Sequence, residues 1–96
     1  MLQNLNKAFE NRNRLGIMSI LIVNDWMSFN DLKELLSLSD GNLSSHILFL
    51  EKLNYLEVKK EFIGRRPSTS YRITQEGRTA FEKHIKALEN ILKNMK

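Results

Sequence analysis

The sequence predicts an α+β fold that is mainly helical, with one small β-hairpin and a long last helix. Three observations predict it. Apolar residues recur at helical spacing up to about residue 53. The period then falls to two, with Leu56, Val58 and Lys60 alternating with Glu57, Lys59 and Glu61 before a Gly/Pro-containing turn at 64–67. Helical spacing returns in Phe81, Ile85, Leu88, Leu92 and Met95.

The elements follow in order. Leu2, Leu5 and Phe9 stand at helical spacing and suggest an amphipathic lead-in. Asn11-Arg12-Asn13-Arg14 either caps or interrupts it. From Leu15 to Val23 the chain is nearly all apolar, and the length favours a central buried helix over a strand. Asn24-Asp25 ends this run, and Trp26-Met27-Ser28-Phe29 reads as a short extended link. Asn30 is a candidate N-cap, with Asp31 in the first turn where the helix dipole favours an acid. Leu32, Leu35 and Leu36 then mark one face of a two-turn helix. Ser37-Leu38-Ser39 is a short turn and Asp40 the next candidate cap. Leu43, Ile47 and Leu50 form the stripe of a second helix. Ser68 to Ile73 supplies the return strand of the hairpin, and Thr74 caps the last helix.

Composition bounds the function. The chain has 96 residues, 42% hydrophobic and 27% charged, as one small globular domain spanning 1–96 would have. It has no cysteine, so neither a disulfide nor a thiolate metal site can reinforce so small a core, and subunit association is the remaining common support. No apolar run approaches the roughly 20 residues of a membrane span. The first residues lack the apolar core of a signal peptide. A cytoplasmic protein is therefore expected.

The net charge of +4 is unevenly placed. Residues 1–58 are net −2. Residues 59–72 carry Lys59, Lys60, Arg65, Arg66 and Arg72 against Glu61 alone, a net of +4. A focus of this kind suits a polyanion, although a merely solvated hairpin would look the same.

Two helices joined by a three- or four-residue turn form a helix-turn-helix, whose second helix can enter a DNA major groove. A basic hairpin behind it lies within reach of the backbone. Several runs of residues carry a family resemblance. Phe29-Asn30-Asp31-Leu32-Lys33-Glu34-Leu35-Leu36 resembles the first helix of a winged helix-turn-helix. Asp40-Gly41-Asn42-Leu43-Ser44-Ser45-His46 resembles the start of its recognition helix, which Leu50-Glu51-Lys52-Leu53 closes. Gly64-Arg65-Arg66-Pro67 resembles the wing tip, and Tyr71 to Arg78 the return strand and the next helix start. The whole, over roughly 9–90, is similar to small stand-alone winged-helix regulators of the MarR/ArsR-like group. The resemblance implies a homodimeric, DNA-binding transcriptional regulator.

Two departures stand out. Leu48 and Phe49 occupy positions that are usually polar or basic, so they are core, subunit contacts or contacts to thymine methyls and sugars. Asn54 replaces the usual glycine after the recognition helix, and Asn tolerates the left-handed conformation needed there.

With Leu43, Ile47 and Leu50 inward, Asn42, Ser45, His46 and Phe49 fall on the other side, with Ser44 beside them. Asn can bridge two atoms of adenine and Ser can bond many base edges. Asn42 and Ser44 could instead cap the helix end, and His46 could be a neutral surface side chain. Arg65 and Arg66, flanked by Lys59, are the candidates for phosphate or minor-groove contacts. Strand alternation forbids all the hairpin cations from sharing one face.

Nothing in the sequence asks for catalysis, a metal or a cofactor. There is no phosphate-cradling loop, Ser68-Thr69-Ser70 has no neighbouring His or Asp, and His46 and His84 lie on different helices. No effector can be read, and a ligand would have to use a dimer interface. The stripe Phe81, Ile85, Leu88, Leu92, Met95 is longer than so small a body can cover, which predicts a dimerisation helix over 75–96. The competing reading is a winged-helix module that binds protein rather than DNA through Leu48 and Phe49.

Overall fold

The computed structural model describes residues 3–95. In chain order it has a 3₁₀ turn at Lys7–Phe9, α1 (Arg12–Leu21), β1 (Met27–Ser28), α2 (Phe29–Leu36), α3 (Asp40–Lys52), β2 (Leu56–Ile63), β3 (Arg66–Ile73) and α4 (Gln75–Asn94). The helical and hairpin expectations hold, with local corrections.

Helix α1 is the hub. Ile17, Met18 and Leu21 are fully buried, and they meet Leu32 of α2, Leu43, Ile47 and Leu50 of α3, and Phe81 of α4 in one core. The helix starts before the apolar run because the Asn11 side chain accepts the N–H groups of Asn13 and Arg14. Val23, at the far end of that run, is exposed. The lead-in is not a helix. Asn6 caps a single 3₁₀ turn, and Phe9 inserts among Tyr55, Phe81 and His84. Leu2 lies outside the described residues.

The link before α2 is a strand. β1 pairs antiparallel with β3, Met27 opposite Tyr71 and Ser28 opposite Ser70, so the hairpin becomes a three-stranded sheet of order β1-β3-β2. Ser28, not Asn30, caps α2, and Ser39, not Asp40, caps α3. In each case the serine hydroxyl stands one turn ahead of the N–H it accepts, from Asp31 and from Asn42. Asp40 instead pairs with Lys33 at 2.7 Å, tying α2 to α3. Leu35 is 63% exposed. The stripe of α2 is centred on Leu32 and Leu36, and Leu35 sits about 80° round the helix from it.

Both helices of this two-helix unit are closed at their C-terminal ends by left-handed residues. Ser37 (φ 54°) ends α2, with Leu38 N–H bonded to Lys33 C=O and Ser37 N–H to Glu34 C=O. Asn54 (φ 62°) ends α3 in the same way, with Tyr55 N–H on Leu50 C=O and Asn54 N–H on Glu51 C=O. This closure aims the chain directly into β2. Thr74 caps α4 as expected, its hydroxyl accepting from Gly77 N–H.

Candidate nucleic-acid interface

Helix α3 turns Leu43, Ile47 and Leu50 into the core. The opposite row is Gly41, Ser45, Leu48 and Lys52, all exposed. Asn42 and Ser44 flank the row on its two sides, also exposed. The Ser45 hydroxyl donates to Asn42 C=O at 3.1 Å, which leaves its lone pairs toward solvent. Asn42, Ser44 and Ser45 thus share the first turns of one exposed surface.

His46 does not share it fully. Its ring is half-buried against the start of α1, with Nδ1 3.4 Å from an Arg14 guanidinium nitrogen and Nε2 3.5 Å from the Asn13 amide. Arg14 can only donate, so Nδ1 accepts from it. Burial, and secondly the Arg14 charge, push its pKa below the usual 6.5, so the ring is neutral. The same guanidinium donates to Ala8 C=O at 2.6 Å and lies 4.3 Å over the Phe49 ring. Arg14 therefore braces the flank of α3. No pattern in the sequence marks that role, because its partners lie 6, 32 and 35 positions away.

Leu48 and Phe49 are not core. Leu48 is 53% exposed, and Phe49 offers its rim to solvent beneath Arg14. The core stripe of α3 is three residues wide and already filled.

The hairpin turn is tighter than the sequence suggests. Only Gly64 and Arg65 lie between the strands, while Arg66 and Pro67 pair with Ile63 and Phe62. Gly64 has φ 65°, the left-handed first position that a two-residue hairpin turn requires. In such hairpins the pair flanking the turn, here Ile63–Arg66, is hydrogen-bonded and the next, Phe62–Pro67, is not, so the missing N–H of Pro67 costs the ladder nothing.

Strand alternation sorts the cations. Lys59, Arg66 and Arg72 share one face, and Lys60 faces the other way with Val58 and Phe62. Lys59 and Arg72 are both engaged, their charged groups lying 4.5 and 4.4 Å over the Trp26 ring. Arg72 also pairs with Glu57 and, at 3.6 Å, with Asp25. Arg65 and Arg66 are exposed and make no ion pair among the described residues. The basic segment thus divides into a braced base and a free tip.

On α4, Phe81 is a core residue, 3% exposed and edge-on to Phe9. That corrects its expected place in a dimer seam: the first turns of α4 are spent on the chain's own body. Ile85 is half-buried against the core, while Leu88, Leu92 and Met95 are exposed. Among the described residues no helix is long and apolar enough to cross a membrane. No three His, Asp or Glu side chains among them gather as metal ligands.

A two-helix unit with a three-residue turn, a filled core behind its second helix and a hairpin with a free basic tip has counterparts. Residues 13–92 match the family described as winged helix DNA-binding domain. The chain belongs to that family. In its terms α2 and α3 are the helix-turn-helix and β2–β3 the wing. An uncharacterized protein of Methanocaldococcus jannaschii is 38% identical over 89 residues, 93% of this chain and 97% of that one. The structure of a transcriptional regulator homologue from Pyrococcus horikoshii OT3 is 31% identical with a TM-score of 0.85, covering 92% of this chain and 87% of that one. MepR of S. aureus, solved as a DNA complex, shares the winged-helix fold at 13% identity and a TM-score of 0.77, over 97% of this chain and 79% of that one. The winged-helix fold and the DNA-binding, regulator-type character expected from the sequence are borne out.

Proposed function

We propose that the winged-helix chain is a homodimeric transcriptional regulator that reads a specific duplex sequence. The observation that carries this reading is the pairing of an exposed polar start of α3 with a wing tip bearing two unpaired arginines. Asn42, Ser44 and Ser45 reach base edges in the major groove, and His46 contributes only from the flank. Arg65 and Arg66 hold phosphates or enter the minor groove, with Lys59 behind them. Leu48 supplies an apolar contact to a thymine methyl. The exposed strip Leu88, Leu92 and Met95 supports pairing of α4, over 75–96, with a second copy, and Ile85 borders that seam. Two recognition helices would then meet successive major grooves about 34 Å apart. The location proposed with this reading is the cytoplasm.

The exposure of Leu48 and Phe49 also favours a second reading, in which α3 docks on a protein. Selection of bound duplexes from a random pool separates the two. The regulator yields an enriched, two-fold symmetric site with half-sites one helical turn apart. A pool retained without enrichment would remove sequence reading, and no retention at low salt would leave the protein-binding alternative.

A further inference from the structure

The free end of the wing carries more than charge. Every residue from Lys60 to Pro67 is exposed, and β1 supports β3 only as far as Ser70. Within this bare end Phe62 is 76% and Ile63 65% exposed. Phe62 stands opposite Pro67 on one face, and Ile63 opposite Arg66 on the other. Apolar side chains on both faces of an unsupported hairpin are a solubility liability unless they have an occupant.

The charges around them select that occupant. Lys60 lies on the face of Phe62, Arg66 on the face of Ile63, and Arg65 at the turn between them, against Glu61 alone. An apolar point ringed by cations matches the section of a duplex, where stacked bases lie between two rows of phosphates. The dimensions agree. From Lys60 to the turn the strand spans roughly 13 Å, more than the depth of a minor groove, about 7.5 Å. The groove is about 6 Å wide, too narrow for two strands with their side chains. Entry therefore requires it to open, and a bend toward the major groove opens it. The tip is stiff enough to act so, with a two-residue turn and the fixed φ of Pro67.

We propose that Phe62, backed by Pro67, is an apolar wedge that enters DNA from the minor groove, partly unstacks one base step and bends the duplex. Lys60, Arg65 and Arg66 hold the flanking phosphates. The preferred step is pyrimidine–purine, TA above all, because it unstacks most easily. The wing thereby adds specificity at a position where no hydrogen bond reads a base. This inference rests on the DNA-binding reading above.

The test uses the full chain at low salt and an AT-rich duplex. The duplex carries 2-aminopurine at a central TA step and a donor–acceptor dye pair at its ends. The wild type is expected to raise the 2-aminopurine fluorescence and bend the duplex by about 20° or more. Phe62→Ser is expected to abolish both signals while leaving the salt dependence of binding unchanged, and Phe62→Leu to restore them. Unchanged Trp26 emission shows that the variants fold. A bound but straight duplex, or a bend that survives Phe62→Ser, overturns the wedge and leaves DNA binding intact. Absence of duplex binding by the wild type overturns both. Capture of the wild type but not Phe62→Ser by anionic vesicles assigns the tip to lipid and overturns the wedge.

Discussion

Gly77 of α4 lies against the backbone of Tyr55, the residue that leaves the recognition helix. A Cβ at 77 would sit 2.9 Å from Tyr55 Cα and closer still to its carbonyl oxygen. The same carbonyl accepts the N–H of Thr74 at 3.0 Å, and the Thr74 hydroxyl donates to Asn54 C=O at 2.7 Å. The start of α4 is therefore locked to the end of α3. In an open helix Gly→Ala stabilises by about 1 kcal/mol. Gly77→Ala is expected to do the reverse and cost about 1–3 kcal/mol, because backbone cannot yield as a side chain can. Gly41→Ala, with nothing within 4 Å, is the control. Urea midpoints moving the same way for both would disprove the close fit.

The arginines of the wing tip should act on all duplexes alike. Replacing Arg65 and Arg66 by Ala is expected to lower the slope of log affinity against log salt by about 2 per protomer, one for each phosphate released. Lys59→Ala should change it less, since that ammonium rests on Trp26. Fluorescence anisotropy over a salt series measures both. An unchanged slope in a folded double variant would detach the wing tip from the backbone.

Asn42 should act on sequence. Asn42→Ala is expected to cost on the order of 1–3 kcal/mol on the selected site and far less on random DNA. Ser39, not Asn42, supplies the cap of α3, so the fold should be spared. Equal losses on both duplexes would make Asn42 a positioning residue.

Assembly should depend on the outer half of α4. Leu88→Glu with Leu92→Glu changes residues that the chain's own core does not bury. The expected product is a folded monomer with weakened DNA binding, because glutamates cannot enter an apolar seam. Sedimentation with circular dichroism checks mass and helicity together. A double variant that stays dimeric would move the interface elsewhere.

Stability should fall in mild acid. His84 is buried beside Phe9, with Nδ1 accepting the backbone N–H of Asn6 at 3.0 Å. Burial lowers its pKa from 6.5, and the Glu10 charge offsets part of that. The unfolded chain thus takes up a proton before the folded one does. The neutral ring's contribution is complete above pH 6.5 and drains away as pH falls toward the folded value. His46 shifts in the same direction. Urea midpoints at pH 7.5 and pH 5 should differ, and His84→Gln should narrow the gap. A gap that His84→Gln leaves intact would assign the acid sensitivity to other groups.

The periodic features of this chain were readable directly. Leu43, Ile47 and Leu50 mark the buried face of α3, Thr74 caps α4, and Asn54 takes the left-handed turn after α3. Each of these follows from geometry within one or two turns of chain, where residue type and spacing suffice. The order of those elements, with a basic hairpin after two short helices, was enough to reach the winged-helix family. Tertiary structure decided the rest. Four residues could have capped α2 and α3, and only packing of each helix start chose Ser28 and Ser39. Trp26 looked like linker until β1 met β3 and placed its ring under Lys59 and Arg72. Phe81 belonged to an apolar stripe whose spacing is the same for core and for interface, and Phe9, 72 positions earlier, claimed it for the core. Arg14 had no local signal at all. Spacing along a chain encodes which face a side chain takes, whereas its partner depends on which distant element packs there.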